Sequence, residues 1–347
     1  MSNALLDSLI AHPAFARLPI AAELRARPLG FVDVGARGGV DAVLEPIAGV
    51  TTVLAFDPDS EAVVGLEADP AAGRWARYDV DPNALAAAEG HAVLHLGAVP
   101  TNHSLLPPNE AFIRRYDMRR HEKIGEITVP TTTLDIAIFA RRPGDPTLGE
   151  VLKLDTQGTE HDILTGAART LRERTVAIVT EVEFCPMYTG QKLFTDVDLL
   201  LREHGFSFLG CTTVAQRSRK RLDKRRSLGR ERWMLADAVF VKDPLPSGRA
   251  PDLGPRARGI LFTTALLLRY FDFALEVAED LWGGEPDLAA AARTLVDHLS
   301  AADPQATAAR VADLARAVAA APDRANLLTG KFADGWRSTF DYADVPD

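Results

Sequence analysis

The stretch Val151–Glu160, VLKLDTQGTE, decides the reading of this chain when it is set beside Phe31–Gly39, FVDVGARGG. Each is an apolar run that ends in an acidic residue and then turns at glycine, the pattern of a parallel strand whose carboxyl edge opens onto a ligand crevice. Two such edges in one chain predict a binding enzyme.

Working outward, the chain alternates. Strand candidates are Leu29–Val34, Thr52–Phe56, Arg77–Val80, Val93–Leu96, Glu126–Val129, Val151–Leu154, Val176–Val182, Phe206–Leu209 and Ala236–Val241. Between most of them lie helix-compatible stretches such as Ser60–Glu67, Asp162–Arg172 and Thr195–Glu203. Alternating strand and helix predict an α/β fold, a parallel sheet covered on both faces and binding at the carboxyl ends of its strands. Residues 1–27 read as an N-terminal helical segment, with Leu5, Leu6, Leu9, Ile10 and Phe15 on one face before Pro28. Residues 28–242 form the main domain. The segment 243–259, rich in proline and glycine, reads as a linker. Residues 260–347 are alanine-rich and predict a helical C-terminal region of two to four helices, with Leu266, Tyr270, Phe273 and Val277 at helical spacing.

Composition narrows the function. The chain has 347 residues, 47% hydrophobic and 25% charged, ordinary for a soluble globular protein with room for about two domains. A net charge of -9 argues against general nucleic-acid binding. Cys185 and Cys211 are the only cysteines, too few for a disulfide framework, which points to a reducing cytoplasm. The N-terminus lacks the basic leader and long apolar core of a signal peptide. The apolar run Ile260–Leu268 is shorter than the ~20 residues needed to span a bilayer.

In FVDVGARGG, Asp33 ends the strand, Gly35 allows a sharp turn, and Gly38 or Gly39 allows a ligand or helix to approach closely. The spacing departs from Gly-x-Gly-x-x-Gly, and a plain strand-to-loop turn would account for it alone. Asp57, at the end of the next strand, can accept hydrogen bonds from both ribose hydroxyls of an adenosine, which favours an adenosine-containing cofactor. In VLKLDTQGTE, Lys153 and Asp155 share one face of a strand, and a lysine in a buried strand needs a partner. Structural pairing of Lys153 with a carboxylate such as Glu181, and helix capping by Glu160, are the bland alternatives. Glu181 and Glu183 alternate onto one face of another strand tip. Near Asp155 they would make a base for a hydroxyl proton, or a magnesium site in which Asp155 and Glu181 are the ligands. His161 opens the following helix.

At these residues the chain resembles the FkbM family of S-adenosylmethionine-dependent methyltransferases. The carrying motifs are Asp33–Ala36, Asp57–Pro58, Thr133–Asp135, Lys153–Glu160, the Glu181–Phe184 segment followed by Tyr188, Gly190, Gln191 and Phe194, the turn at Gly205–Phe206, and Trp233–Val241. Asn102–Asn109 is similar to the family's serine-rich loop. Arg37 stands where asparagine is common, Asp57 where glutamate is usual, and Gln157 where many members carry a glutamate, which removes a catalytic carboxylate at 157. The resemblance covers roughly residues 28–242 and not the helical tail.

The resemblance implies a doubly wound, mostly parallel seven-stranded Rossmann-like sheet with a small all-helical C-terminal appendage. It implies S-adenosylmethionine bound by Asp33, Gly35, Ala36, Gly39 and Asp57, with Ala84 in the adenine wall. It also implies methyl transfer to an oxygen, often of a sugar, sugar nucleotide or glycan. Asp155, His161, Glu181, Glu183 and Lys153 are the catalytic candidates. An NAD-dependent oxidoreductase and a non-catalytic cofactor-binding scaffold, assembled through the helical tail into a homo-oligomer, are the competing readings.

The segment Gln216–Trp233 holds nine Lys or Arg against two acids. A solvated loop is the default for such a run. Lying between the last two strands, it can also overhang the site, where Arg219, Arg221, Arg225 and Arg226 would grip a phosphate-bearing acceptor or touch an anionic membrane surface.

Overall fold

The computed structural model describes residues 9–223, 229–250 and 252–335. Leu5, Leu6, Arg225 and Arg226 lie outside the described residues. The strands are β1 (Leu29–Val34), β2 (Thr51–Phe56), β3 (Arg77–Asp81), β4 (Ala84–Leu85), β5 (Gly90–Gly97), β6 (Lys123–Thr132), β7 (Val151–Leu154), β8 (Ala177–Glu183), β9 (Ser207–Arg217) and β10 (Arg232–Val241). Seven of them form one sheet in the order β3-β2-β1-β7-β8-β10-β9. All its pairings are parallel except those of β10, which runs antiparallel to both β8 and β9.

Strands β1, β7 and β8 are buried along their whole length, because the sheet is covered on both faces. Alternation sorts their side chains. Phe31, Val151 and Val179 face a core built with Phe15, Leu24, Phe262 and Leu295 from the N-terminal and C-terminal helices. Val32, Leu152, Ile178 and Phe240 face a second core with Ile163, Leu171 and Leu201. The chain winds outward from β1 through β2 to β3 and then returns to the other side of β1 as β7. The crevice between the β1 and β7 tips is therefore the topological switch point, where open α/β sheets bind ligands.

Two expected members of the parallel sheet belong elsewhere. Val93–Leu96 and Glu126–Val129 lie in β5 and β6, an antiparallel pair that forms a three-stranded sheet with β4. Only Leu94, Gly97, Val129, Thr131 and Thr132 of these two strands are buried, so the pair is largely exposed rather than sandwiched between helices. Helix Pro255–Leu267 also begins inside the segment read as a linker, with Pro255 in its first turn where a missing N–H costs nothing. Five α-helices and a short 3-10 helix, Pro322–Arg324, follow β10 among the described residues, more than the two to four helices expected. Leu266 and Val277 fall on two of them, separated by Arg269 in the left-handed region at φ 66°. Among the described residues, no helix is long and apolar enough to cross a membrane.

Arg256 fastens helix Pro255–Leu267 to the sheet. Its Nε donates to Glu150 Oε1 at 2.7 Å and its Nη2 to Oε2 at 3.0 Å, a fork-to-fork pair. Nη2 also donates to the carbonyls of Arg27 and Pro28, while Glu150 Oε2 accepts from Gly30 N at 3.1 Å. One guanidinium thus joins the ends of the N-terminal helix, β1 and β7. Arg256→Ala strands a buried carboxylate and should cost about 3 kcal/mol. Thermal unfolding should show a midpoint lowered by roughly 5–10 °C. An unchanged midpoint would show that the clasp carries no net stability.

Candidate active site

Gly35 sets the site's geometry. Its φ is +82°, and a Cβ there would stand 2.0 Å from the carbonyl oxygen of Asp155. Only glycine lets the β1 and β7 tips approach this closely. Gly35 N donates to Phe56 O at 2.9 Å and Asp155 N to Val34 O at 3.0 Å, so three strand tips share one knot of backbone bonds. Beside it opens a concave cavity at the strand tips.

Of the residues expected to hold a cofactor, Gly35, Asp57 and Ala84 line this cavity. Phe56, Leu85, Leu94 and Leu105 add apolar wall, and Asp155, Thr156 and Gln157 also line it. Asp33, Ala36 and Gly39 are not among the lining residues. Asp33 instead accepts from Asp41 N at 2.7 Å and stabilises the loop beneath the cavity. Ala36 is packed into the core. Gly39, at φ +118°, shapes the same loop.

The rim carries a cluster that the sequence did not reveal. Arg37 pairs with Asp59 and stands 3.9 Å from Asp57, while His103 Nε2 lies 3.5 Å from Asp59 Oδ2. Asp57 Oδ1 accepts from Asp59 N at 2.9 Å. Burial pushes the Asp57 carboxyl up, and the Asp59 N–H and Arg37 pull it back only in part.

The turn after β7 builds the part of the wall at Asp155–Gln157. Gln157 adopts φ 59°, a left-handed conformation held in place by Ser104 Oγ, which donates to Gln157 O at 2.8 Å. From there Gln157 Nε2 donates to Asp155 Oδ1 at 3.1 Å and to Glu181 Oε1 at 2.9 Å, while its Oε1 accepts from Tyr188 Oη at 2.9 Å. Gly158 is also required, since a Cβ would meet the Gln191 amide at 2.7 Å and the Tyr188 ring at 2.9 Å. Glu160 does more than start a helix. Its Oε1 accepts from Thr156 N, Thr156 Oγ1 and Gly158 N, which staples the turn from within.

Asp155, Glu181 and Glu183 are therefore brought together, with Glu160 added. Glu183 is buried, with its Oε1 lacking a hydrogen-bond partner. Lys153 is buried beside them. Its partners are Asp155 at 3.6 Å and Asp237 at 3.9 Å, rather than the expected Glu181. His161 is not brought in: it lies outside the cavity, with Nδ1 3.7 Å from Asp162 on its own helix. Among the described residues, no group of three or more His, Cys, Asp or Glu is arranged to hold a metal ion. Between Asp155 and Glu181, the proposed ligands, stands the Gln157 amide, a donor that occupies the place of a cation.

Packing carboxylates this densely and out of water suppresses their ionisation. Burial first, and then the charges of Asp155 and Glu183, hold Glu181 well above the usual carboxylate range; burial and Glu160 do the same to Glu183. Burial pushes Glu160 up to about 7 despite its three hydrogen bonds, and Asp33 likewise to about 7. Lys153 is lowered by burial but raised more by Asp155, Asp237, Asp33 and Asp41, so its ammonium form is favoured.

The FkbM methyltransferase domain family matches residues 33–208, just over half the chain. Comparison with curated proteins gives no match. Among solved structures, an FkbM methyltransferase from Methylobacillus flagellatus KT is similar at 15% identity, covering 62% of this chain and 43% of that one, with a TM-score of 0.32. The match thus spans less than half of that protein. Magnesium protoporphyrin IX methyltransferase from Synechocystis PCC 6803, with bound S-adenosylmethionine, is similar at 11% identity, covering 69% of this chain and 78% of that one, with a TM-score of 0.30. The 1,6-didemethyltoxoflavin-N1-methyltransferase of Burkholderia thailandensis matches at 15% identity, covering 70% and 80%, with a TM-score of 0.28. At such scores these likenesses carry no weight for substrate or reaction.

The raised carboxyls have a sign that can be tested. Glu160 and Asp33 hold protons up to about pH 7 when folded, whereas unfolded carboxyls release them near pH 4. Their contribution to stability is therefore full below about pH 4 and lost as pH rises toward 7. Glu160→Gln keeps the acceptor oxygen and removes the titration. Its melting temperature should fall less than the wild type's between about pH 5 and 8. An equal fall in both proteins would remove Glu160 from the account.

Proposed function

Because the chain belongs to the FkbM methyltransferase family, we propose that it transfers a methyl group from S-adenosylmethionine to a hydroxyl oxygen of a sugar, sugar nucleotide or glycan. The observation that carries the proposal is that a single cavity is lined both by Gly35, Asp57 and Ala84 and by Asp155 with Gln157. The glycine loop alone would also fit an NAD-dependent oxidoreductase; the family match removes that alternative.

The residues fit the cofactor. Gly35 provides a cradle that a Cβ would fill, and the Asp57 carboxylate stands where ribose hydroxyls can donate to it. Phe56, Ala84, Leu85, Leu94 and Leu105 offer the apolar sleeve an adenine needs. When bound, the cofactor supplies a sulfonium methyl already activated toward nucleophiles. The protein must then align the acceptor oxygen and accept its proton.

Asp155 suits that task. Its side chain is 42% exposed toward the cavity, unlike the buried Glu181 and Glu183 behind it. Gln157 fixes its Oδ1, leaving the carboxylate to accept the acceptor's hydroxyl proton, and Lys153 compensates its charge from below. Glu181 orients Gln157 from the other side. With Gln157 already bridging the two carboxylates, the arrangement works without a cation, and turnover should be indifferent to chelation.

Two measurements test this reading. Calorimetric titration should show S-adenosylhomocysteine binding, weakened by ~1.5–3 kcal/mol in Asp57→Ala through loss of charge-assisted hydrogen bonds. Asp155→Asn and Glu181→Gln should keep that affinity within about threefold and lower turnover by ~10² or more. Binding without turnover on any hydroxyl acceptor would favour the scaffold reading, and absence of binding would end the proposal.

A further inference from the structure

Two basic segments far apart in the sequence meet around Tyr116 and His121. One is Arg114–Lys123, which follows from helix Glu110–Tyr116; the other is the start and end of the hairpin formed by β9 and β10. Arg217 and Arg232 face each other across that hairpin. Arg217 Nη1 donates to Tyr116 O at 3.5 Å and Arg232 Nη1 to Tyr116 Oη at 3.4 Å. Arg120 and Arg217 both press their charge on His121, which burial and these two arginines lower to about 4.

Most neighbouring cations are already neutralised. Arg114 pairs with Glu110, Arg119 with Asp117 and Lys123 with Glu126. Arg120, Arg217 and Arg232 form no ion pair with a described residue. The arginines expected to overhang the cavity go elsewhere: Arg219 and Arg221 line a separate cleft with Asn326, Leu327 and Lys331 of the C-terminal helix.

Around His121, on which Arg217 and Arg120 act, His95, Asn102, Ser104, Lys123 and Tyr188 line a shallow recess. Ser104 is shared with the cofactor cavity, so the recess adjoins it. His121 Nδ1 is buried there without a hydrogen-bond partner. Tyr188 separates two opposite environments. Its hydroxyl bonds to Gln157 above the carboxylates, and its ring stands 6.5 Å from that of His121 on the cationic side.

We propose that Arg120, Arg217 and Arg232 seat a phosphate group of the acceptor, which binds with its reacting hydroxyl toward Asp155 and its anionic end outward. This assignment rests on the methyltransferase reading. The Asp155 carboxylate repels an anion at the inner end, and the arginines repel a cation at the outer end. The charge gradient across Tyr188 therefore fixes both the class of the acceptor and its direction. The guanidinium fork matches phosphate oxygens where a lysine would supply only a point charge.

Inorganic pyrophosphate is the probe, titrated into the full chain saturated with S-adenosylhomocysteine. The wild type should bind it, more weakly as salt is raised. The double variant Arg217→Gln, Arg232→Gln should bind it at least ~10-fold more weakly, the scale of lost charge-assisted bonds, with S-adenosylhomocysteine affinity unchanged. That unchanged affinity also reports that the variant is folded. Sedimentation with phosphatidylglycerol vesicles, competed by pyrophosphate, would place the phosphate on a lipid; pyrophosphate binding without vesicle binding would place it on a soluble acceptor. Cofactor product bound but pyrophosphate ignored, or bound equally by the double variant, overturns the phosphate seat alone. Failure to bind S-adenosylhomocysteine would overturn the methyltransferase reading instead.

Discussion

The approach of two backbones at Gly35 and Asp155 is the constraint on which the rest depends. A glycine without a Cβ, at positive φ, lets the tip of β1 lean against the carbonyl of Asp155. The contact brings Gly35 and Asp155 together on the wall of one cavity. Because β1 and β7 are sheet neighbours on either side of the chain reversal, the two motifs are held together by strand pairing rather than by loops. Sites held this way keep their geometry better than sites assembled from loops alone.

On that rigid edge the fold concentrates carboxyl groups. Asp155, Glu160, Glu181 and Glu183 share a small volume in which Lys153 and Gln157 are the compensating groups. Such a cluster is a cost to stability in the native state, which raised carboxyls express as protons retained toward neutral pH. The clasp of Arg256 on Glu150 and the two cores on either side of the sheet offset it at a distance from the site.

Much of this was legible in the sequence. The apolar runs of β1, β2, β7 and β8 appear at the expected places because strands buried on both faces read as continuous hydrophobic stretches. Gly35, Asp57 and Asp155 were legible because strand tips have a fixed chemistry. What escaped depends on distance in sequence. Gln157 looked like the loss of a carboxylate, yet its amide links Asp155, Glu181 and Tyr188, contacts that span up to 31 positions. Asp33 and His161 occupied plausible positions, but the first turns to Asp41 and the second points away along its helix. The meeting of Arg217 and Arg232 with Tyr116, across more than 100 positions, had no local signal at all.

The central claim is that one cavity at the β1–β7 switch point holds both the methyl donor and the group that receives the acceptor's proton. A crystal structure with S-adenosylhomocysteine tests it most directly. The account predicts the ribose on Asp57, the adenine against Ala84 and Leu85, and the sulfur near the Gly35–Asp155 contact, facing the Asp155 carboxylate. A ligand with its ribose away from Asp57, or with its sulfur turned away from Asp155, would contradict it.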